Sequence, residues 1–167
     1  MKIVMPLFIC FLLACENSIK SKLDLTKNDE KLIFQKSQIL GKSIDTKRIL
    51  GDSIKINGRS LLVYTGYDCG SCVTAAFQLV NKADSIKKEG YFIVIEIQSN
   101  KGRDQMTYNY SNYIFSDTED LIRKQLKYIK TPFAAHFDSH GKITSVIFPD
   151  ITSKIDDDLL REFSNLN

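Results

Sequence analysis

The sequence lacks the charge patterns that mark chains binding nucleic acid. Its 23 basic and 20 acidic residues are interspersed, giving a formal net charge of +3, and no run of about five or six like charges occurs. Internal repeats and low-complexity segments are absent as well. These absences exclude a nucleic-acid-binding tail and a disordered chain. With 43% hydrophobic residues, the composition indicates an ordinary globular domain with a solvated, charged surface.

Long apolar runs are also scarce, and the longest lies at the N-terminus. There Met1-Lys2 precedes IVMPLFICFLLAC, about a dozen apolar residues, which is too short to span a bilayer comfortably. The pattern predicts a secretory signal peptide over residues 1–14. A plain N-terminal membrane helix is the alternative, although the polar residues from Glu16 onward leave no room to lengthen it.

The end of this run, Leu12-Leu13-Ala14-Cys15, resembles the lipobox of bacterial lipoproteins. The resemblance implies that Cys15 is lipidated and becomes the first residue of the mature chain. We therefore predict a protein of the cell envelope, lipid-anchored to a membrane and facing the periplasm or the exterior. Residues 15–39 are interpreted as lipid anchor and polar tether, with a short amphipathic element near 32–40, and residues 40–167 as the folded domain.

Only two of the four cysteines are available for chemistry. Cys10 leaves with the signal peptide and Cys15 carries lipid, so Cys69 and Cys72 remain for chemistry. Outside the cytoplasm a cysteine pair can be oxidised and a disulfide can persist. The question is whether this pair is redox-active, part of a metal site, or a structural staple.

Hydrophobic periodicity predicts alternating strands and helices around the pair. The predicted strands are 54–56 and 60–64, joined as a hairpin by Asn57-Gly58, then 91–97, and then 133–137 and 143–148, joined by the turn at 138–141. The predicted helices run from 71 to about 89, from a capping box of Ser116 and Glu119 to Lys130, and from Ser153 to the end.

This order of elements resembles the thioredoxin-like fold. The resemblance rests on CGSC at 69–72 directly after a strand, on Thr131-Pro132 directly before another, and on the final hairpin and helix. It implies an α/β domain with a central mixed β-sheet flanked by helices. The signal and the lead-in DSIKINGRSLLVYTG are more similar to envelope thiol-disulfide oxidoreductases than to cytosolic thioredoxin.

The resemblance also implies roles for individual residues. At a helix N-terminus the thiolate of Cys69 is stabilised, so Cys69 is the expected nucleophile and Cys72, one turn later, the expected resolving thiol. Thr131 and Pro132 are expected to bind substrate, with Pro132 in a cis peptide facing the cysteines; a proline that merely ends a helix is the alternative. The expected partners are protein thiols or disulfides and an upstream redox partner, without a cofactor.

One position departs from the thioredoxin pattern. Thioredoxins commonly carry tryptophan before the first cysteine, whereas this chain has Asp68 and no tryptophan. A carboxylate at about 4 Å in water opposes ionisation of Cys69 by only about 1 kcal/mol, so we expect Cys69 to stay reactive and Asp68 to push the pair toward the reducing side. Glu96, within the apolar run 91–97, is either a half-buried proton acceptor near the cysteines or a strand-end glutamate that reaches solvent.

Structural and metal-binding interpretations of the pair compete with the redox one. As a structural staple, a disulfide that closes a four-residue loop would stabilise the folded state by only about 2 kcal/mol, through the entropy lost by the unfolded chain. A zinc site needs about four ligands, and the other obvious candidates, His136 and His140, lie on a predicted strand and its turn. We therefore predict no metal site. A thioredoxin-fold lipoprotein that binds copper or a protein partner without redox turnover remains the alternative function.

A long connection rich in aromatic residues follows the strand at 91–97. It contains Tyr108, Tyr110, Tyr113 and Phe115 and is longer than a minimal loop. These rings either form a docking surface for a partner or pack as an extra strand or helix over the sheet edge.

Overall fold

A computed structural model describes residues 30–87, 91–97 and 101–149. The predicted signal peptide, Cys15 and the helix predicted from Ser153 lie outside the described residues, so the division of the chain at residues 14 and 39 stays a prediction. Among the residues described, no helix combines the length and the hydropathy needed to cross a membrane.

Five strands form one mixed sheet in the order β3-β2-β1-β4-β5. Their bounds are β1 (Ser60–Thr65), β2 (Phe92–Ile97), β3 (Ile114–Asp117), β4 (Phe133–Phe137) and β5 (Ile143–Ile147). β2 runs parallel to β1 and β3, whereas β4 is antiparallel to β1 and β5. β1, β2 and β4 are buried along their whole length, as near-continuous apolar runs require.

The helices are α1 (30–39), α2 (Lys47–Leu50), α3 (Gly70–Lys87), α4 (Lys101–Thr107) and α5 (Leu121–Gln125). α3 packs its apolar stripe on one face of the sheet. The core on that face includes Val73, Phe77 and Val80 of α3 together with Leu62 and Val94 of the central strands. The predicted central mixed sheet flanked by helices is therefore confirmed, including the hairpin of β4 and β5.

The predicted hairpin of 54–56 with 60–64 is wrong. Residues 54–56 form no strand, because β1 is central in the sheet and both of its edges are occupied, by β2 and by β4. The Asn57-Gly58 turn does form, but it contacts the β4–β5 turn. The Gly58 N–H donates to the Asp138 carbonyl at 2.9 Å, and Asn57 Nδ2 donates to the Ser139 carbonyl at 2.8 Å.

The predicted capping box of Ser116 and Glu119 is also wrong. The cap is Asp117, whose carboxylate accepts the backbone N–H groups of Leu121 at 2.8 Å and Ile122 at 2.9 Å. The Ser116 hydroxyl is buried and has no hydrogen-bond partner among the described residues. Glu119 instead accepts a hydrogen bond from Arg48 at 2.6 Å.

The helix that Asp117 caps is shorter than predicted. α5 ends at Gln125 rather than near Lys130, because Lys127 and Tyr128 both adopt left-handed backbone angles, with φ of 58° and 56°. The segment that follows is an irregular turn leading to Thr131. This early end is what brings a loop, rather than a helix, to the start of β4.

The aromatic connection packs onto the sheet edge as α4 and β3. Tyr108 stacks on Phe77 with ring centroids 4.5 Å apart, and the buried ring of Tyr110 lies 5.6 Å from Phe77. The packing interpretation is therefore confirmed for these two tyrosines. Tyr113 is 59% exposed and contacts Phe115 at 4.8 Å.

Candidate functional site

The two cysteines lie where β1 passes into α3. A turn follows the end of β1 at Thr65, and α3 begins at Gly70. Cys69 and Cys72 form a disulfide with an S–S distance of 1.99 Å. Cys69 is exposed and Cys72 is half-buried, so the first sulfur is open to a partner molecule.

The start of α3 surrounds the Cys69 sulfur with hydrogen-bond donors. The Cys72 N–H donates to Cys69 Sγ at 3.2 Å, and the Ser71 hydroxyl lies 3.5 Å from the same sulfur. Hydrogen-bond donors at a helix N-terminus are the surroundings that stabilise cysteine thiolates in general. A Cβ added at Gly70 would meet no atom within 4 Å apart from its chain neighbours and the backbone of its own helix, so no other part of the described chain fills the space beside Gly70.

The Thr131-Pro132 segment lies at the same end of the sheet as the cysteines. Its peptide bond is cis, the isomer that the resemblance implies, and both residues are buried. Phe133, the next residue, pairs with Val63 in the antiparallel ladder of β4 with β1. The beginning of β4 is therefore next to the end of β1, which places Thr131 beside the turn that carries Cys69.

Asp68 joins these two loops directly. One carboxylate oxygen, Oδ2, accepts the Thr65 N–H at 2.7 Å, and the other, Oδ1, accepts the Thr131 hydroxyl at 2.7 Å. The residue that stands in place of the expected tryptophan therefore bridges the cysteine turn and the cis-proline loop. The sequence indicates both Asp68 and Thr131 as site residues but gives no signal that they touch, since they are 63 residues apart.

A cationic side chain missed by sequence reasoning interacts electrostatically with Asp68. Arg123 of α5 donates two hydrogen bonds to Asp120, at 2.8 Å and 2.7 Å. The hydrogen bond with Asp120 raises the pKa of Arg123, and the negative charge of Asp68 acts in the same direction. The i,i+3 spacing of Asp120 and Arg123 is the one signal in the sequence for this pair.

Glu96 is fully buried, so its interpretation as a solvent-reaching strand end is wrong. It pairs with Tyr64 across β1 and β2, one residue from the carboxyl end of its strand. The Tyr64 hydroxyl donates to Asp104 Oδ2 at 3.0 Å. Burial raises the pKa of Tyr64, and the charges of Glu96 and Asp104 raise it further. Glu96 thus belongs to a buried polar group on the α3 face of the sheet.

Neither histidine approaches the cysteines. The Nδ1 of buried His136 lies 3.0 Å from the Ser60 hydroxyl and 3.1 Å from the Tyr91 hydroxyl, and Ser60 begins the strand whose far end leads to Cys69. His140 is exposed in the β4–β5 turn. Across residues 30–87, 91–97 and 101–149, no three His, Cys, Asp or Glu side chains are grouped to hold a metal ion.

Comparisons with known proteins identify the fold. No protein-family model matches the sequence, and no curated protein matches it either. Among solved structures, a secreted Mycobacterium tuberculosis disulfide oxidoreductase homologous to E. coli DsbE is 15% identical with a TM-score of 0.54, over 77% of this chain and 96% of that one.

Two further structures match over a similar extent. A thiol-disulfide isomerase from Corynebacterium glutamicum is 15% identical with a TM-score of 0.50, over 77% of this chain and 98% of that one. The thioredoxin domain of a thiol-disulfide oxidoreductase from Bacteroides vulgatus is 16% identical with a TM-score of 0.50, over 75% of this chain and 96% of that one. At these identities the likeness concerns the fold, and the chain has the thioredoxin-like fold.

Proposed function

We propose that this protein is a thiol-disulfide oxidoreductase that exchanges electrons with protein thiols and disulfides through Cys69 and Cys72. The observation that carries the proposal is the exposed disulfide at the start of α3, with the Thr131-Pro132 loop bonded to the residue before it. A structural staple needs neither an exposed sulfur nor an adjacent loop that could bind a second chain. The solved structures of similar fold include enzymes of this class, which supports the proposal.

The proposed exchange transfers two electrons in two displacement steps. The Cys69 thiolate attacks one sulfur of a partner disulfide, a mixed disulfide forms, and the other partner sulfur leaves as a thiolate that takes up a proton. Cys72, after losing its own proton, then attacks the Cys69 sulfur. The Cys69–Cys72 disulfide forms and the second partner thiolate leaves and is protonated. The reverse sequence oxidises a partner dithiol, and the two reduction potentials set the direction.

The substrate is proposed to bind as an extended segment along the Thr131-Pro132 loop. Thr131 lies before the first paired residues of β4, Phe133 with β1 and Ala134 with β5, so an added strand would pair with its backbone in the manner of β-augmentation. That pairing would present the partner sulfur to Cys69. An upstream redox partner would restore the pair after each turnover, and the exchange chemistry needs no cofactor.

The proposed place of action is the cell envelope. The predicted signal peptide and the lipobox-like sequence ending at Cys15 support a lipid-anchored chain. The Mycobacterium tuberculosis protein of similar fold is described as secreted, which agrees with a redox protein acting outside the cytoplasm.

Cysteine substitutions test this function. We expect Cys69→Ser to abolish disulfide exchange, because the nucleophile is lost, and Cys72→Ser to accumulate a mixed disulfide that mass spectrometry can identify. The Cys69→Ser, Cys72→Ser double variant is the matched control and should capture nothing. Unchanged exchange activity in Cys69→Ser would refute the proposal.

The copper-binding alternative gains no support from the histidines. His136 contacts Ser60 and Tyr91 at the other end of β1, and His140 lies in the β4–β5 turn. Stoichiometric retention of Cu(I) by the purified chain, dependent on both cysteines and a histidine and without reductase activity, would select that alternative.

A further inference from the structure

The two loops of the proposed site are held together by one short contact between side chains. The Thr131 hydroxyl donates to Asp68 Oδ1 at 2.7 Å, while Asp68 Oδ2 accepts the Thr65 N–H at the same distance. Both acceptor atoms of the carboxylate are therefore engaged. Hydrogen bonds to an ionised carboxylate are shorter and stronger than those between neutral groups, and this one is largely shielded, since Thr131 is only 8% exposed.

The position of this contact gives it a consequence for substrate binding. Asp68 directly precedes Cys69, and Thr131 directly precedes Pro132. The loop before Thr131 has no helix of its own, because α5 ends at Gln125. The Asp68–Thr131 hydrogen bond thus adds a side-chain link to the β4–β1 ladder, and it restrains how far the backbone of Thr131 stands from the Cys69 turn.

We propose that Asp68 and Thr131 are positioning residues, whose hydrogen bond holds the substrate-binding loop in register with the Cys69 sulfur and so favours extended polypeptide disulfides over small ones. The inference rests on the proposed function. A small disulfide needs to reach only the sulfur, whereas a polypeptide segment must contact Thr131 and Cys69 at once. If the loop were free to shift, the binding of polypeptide substrates would therefore weaken more than the binding of small disulfides.

Asp68 also carries a charge, and the test must separate the charge from the contact. Arg123 of α5 interacts electrostatically with it and is itself paired with Asp120. Thr131→Val removes the hydroxyl, keeps the shape of the side chain and leaves Asp68 charged. Thr131→Ser keeps the hydroxyl. Asp68→Asn removes the charge but can still link Thr131, because its amide can donate to the hydroxyl while its carbonyl accepts the Thr65 N–H.

The experiment compares two substrates under single turnover with the pre-reduced protein. One is a synthetic peptide with an intramolecular disulfide, and the other is dithionitrobenzoate, a small disulfide. We expect Thr131→Val to lower the ratio of the peptide rate constant to the small-disulfide rate constant about tenfold, mostly through a higher half-saturating peptide concentration, a change equivalent to about 1.4 kcal/mol. Thr131→Ser and Asp68→Asn should each keep the ratio within about threefold of the parent.

The outcomes separate this inference from the proposed function. A parent protein inactive on both disulfides would overturn the function and the inference with it. An active parent whose ratio is unchanged in Thr131→Val, or lowered equally in Thr131→Ser, would overturn the inference alone. If Thr131→Val fails to fold, as judged by circular dichroism, Asp68→Ala breaks the same contact from the other side and must lower the ratio similarly.

Discussion

At the scale of single residues, the ionisation of Cys69 depends on opposing electrostatic effects. The start of α3 supplies the Cys72 N–H at 3.2 Å, which favours a thiolate. Asp68, the preceding residue, opposes it with a negative charge. Its carboxylate is not an isolated charge, because Thr131 donates to it and Arg123 interacts with it. The Cys72 N–H therefore acts on the sulfur directly, whereas the opposing charge of Asp68 is partly offset by its own partners.

Neutralising Asp68 should make Cys69 easier to ionise. In Asp68→Asn we expect the pH at which half of Cys69 is thiolate to fall, because a neighbouring negative charge disfavours a second one. A solvated pair at about 4 Å is worth about 1 kcal/mol, so the shift should be well under one pH unit. The pH dependence of alkylation of the reduced protein by iodoacetamide measures it.

An exposed aspartate elsewhere provides the control for that measurement. Asp52 is on the surface, where it pairs with Lys47 at 3.4 Å, and Asp52→Asn removes the same charge without touching the cysteine turn. The control should leave the alkylation profile of the parent unchanged. A profile for Asp68→Asn that coincides with the parent's would show that the carboxylate does not influence Cys69.

At the scale of elements, the placement of α5 affects the loop that leads to Thr131. This helix carries Arg123. Its first turn is fixed by Asp117, a buried residue at the end of β3 that accepts two backbone N–H groups. The cap thus connects β3, at the edge of the sheet, to the helix that carries Arg123.

Alanine substitutions at Ser116 and Asp117 should affect the free energy of unfolding differently. Asp117→Ala leaves two helix N–H groups without their acceptor, so we expect it to lower the free energy of unfolding by about 2 kcal/mol, the upper end for a lost cap. Ser116→Ala removes a buried hydroxyl that has no partner among the described residues and should be neutral or slightly stabilising. Urea unfolding of both variants measures this, and a larger cost at Ser116 would revive the capping-box hypothesis.

Among the elements, those with strong local signals are the ones that the sequence predicts well. β1, β2 and β4 are continuous apolar runs bounded by turn residues, and α3 has a sustained apolar stripe. The errors arise where neighbouring residues offer the same chemistry. Ser116 and Asp117 can both cap a helix, and only the register of β3 decides between them. Asn57-Gly58 would form a turn both in the predicted hairpin and in the observed fold. Because β2 and β4 occupy the two sides of β1, the turn contacts the β4–β5 turn instead.

At the scale of the whole molecule, buried tyrosines couple stability to pH. Burial raises the pKa of Tyr64 and of Tyr110 above the ordinary value of about 10. The folded protein then keeps phenol protons that the unfolded chain releases above about pH 10. By linkage, the stabilisation is fully present below that pH and is lost progressively as the pH rises above it.

Removing one of these phenols should flatten the alkaline loss of stability. We expect the free energy of unfolding of Tyr64→Phe to fall less steeply above about pH 10, by a slope difference approaching 1.4 kcal/mol per pH unit. At neutral pH the variant should be less stable than the parent, since it loses the hydrogen bond to Asp104. Urea unfolding from about pH 8 to about pH 11 measures both effects.

An exposed tyrosine tests whether burial is the cause. Tyr67 is 86% exposed, so Tyr67→Phe should follow the slope of the parent over the same pH range. Equal slopes for Tyr64→Phe and the parent would mean that the Tyr64 proton is not retained on folding.

For the molecule as a whole, the sequence predicts the architecture better than it predicts contacts within the proposed site. Two local patterns place the proposed site at one end of the sheet. They are CGSC after an apolar run and Thr131-Pro132 before another. The Asp68–Thr131 contact spans 63 residues and depends on the pairing of β1 with β4. The electrostatic interaction of Arg123 with Asp68 likewise joins residues far apart in the sequence, and the early end of α5 depends on the backbone angles of Lys127 and Tyr128.

The turn at residues 138–141 follows β4 at the end of the sheet that is remote from the cysteines. It contacts Asn57 and Gly58, just before β1, whereas Cys69 follows the other end of β1. Six strand residues span about 20 Å. A fluorophore or an affinity handle attached at exposed Ser139 would therefore leave Cys69 uncovered, which makes this turn a suitable point for immobilising the protein.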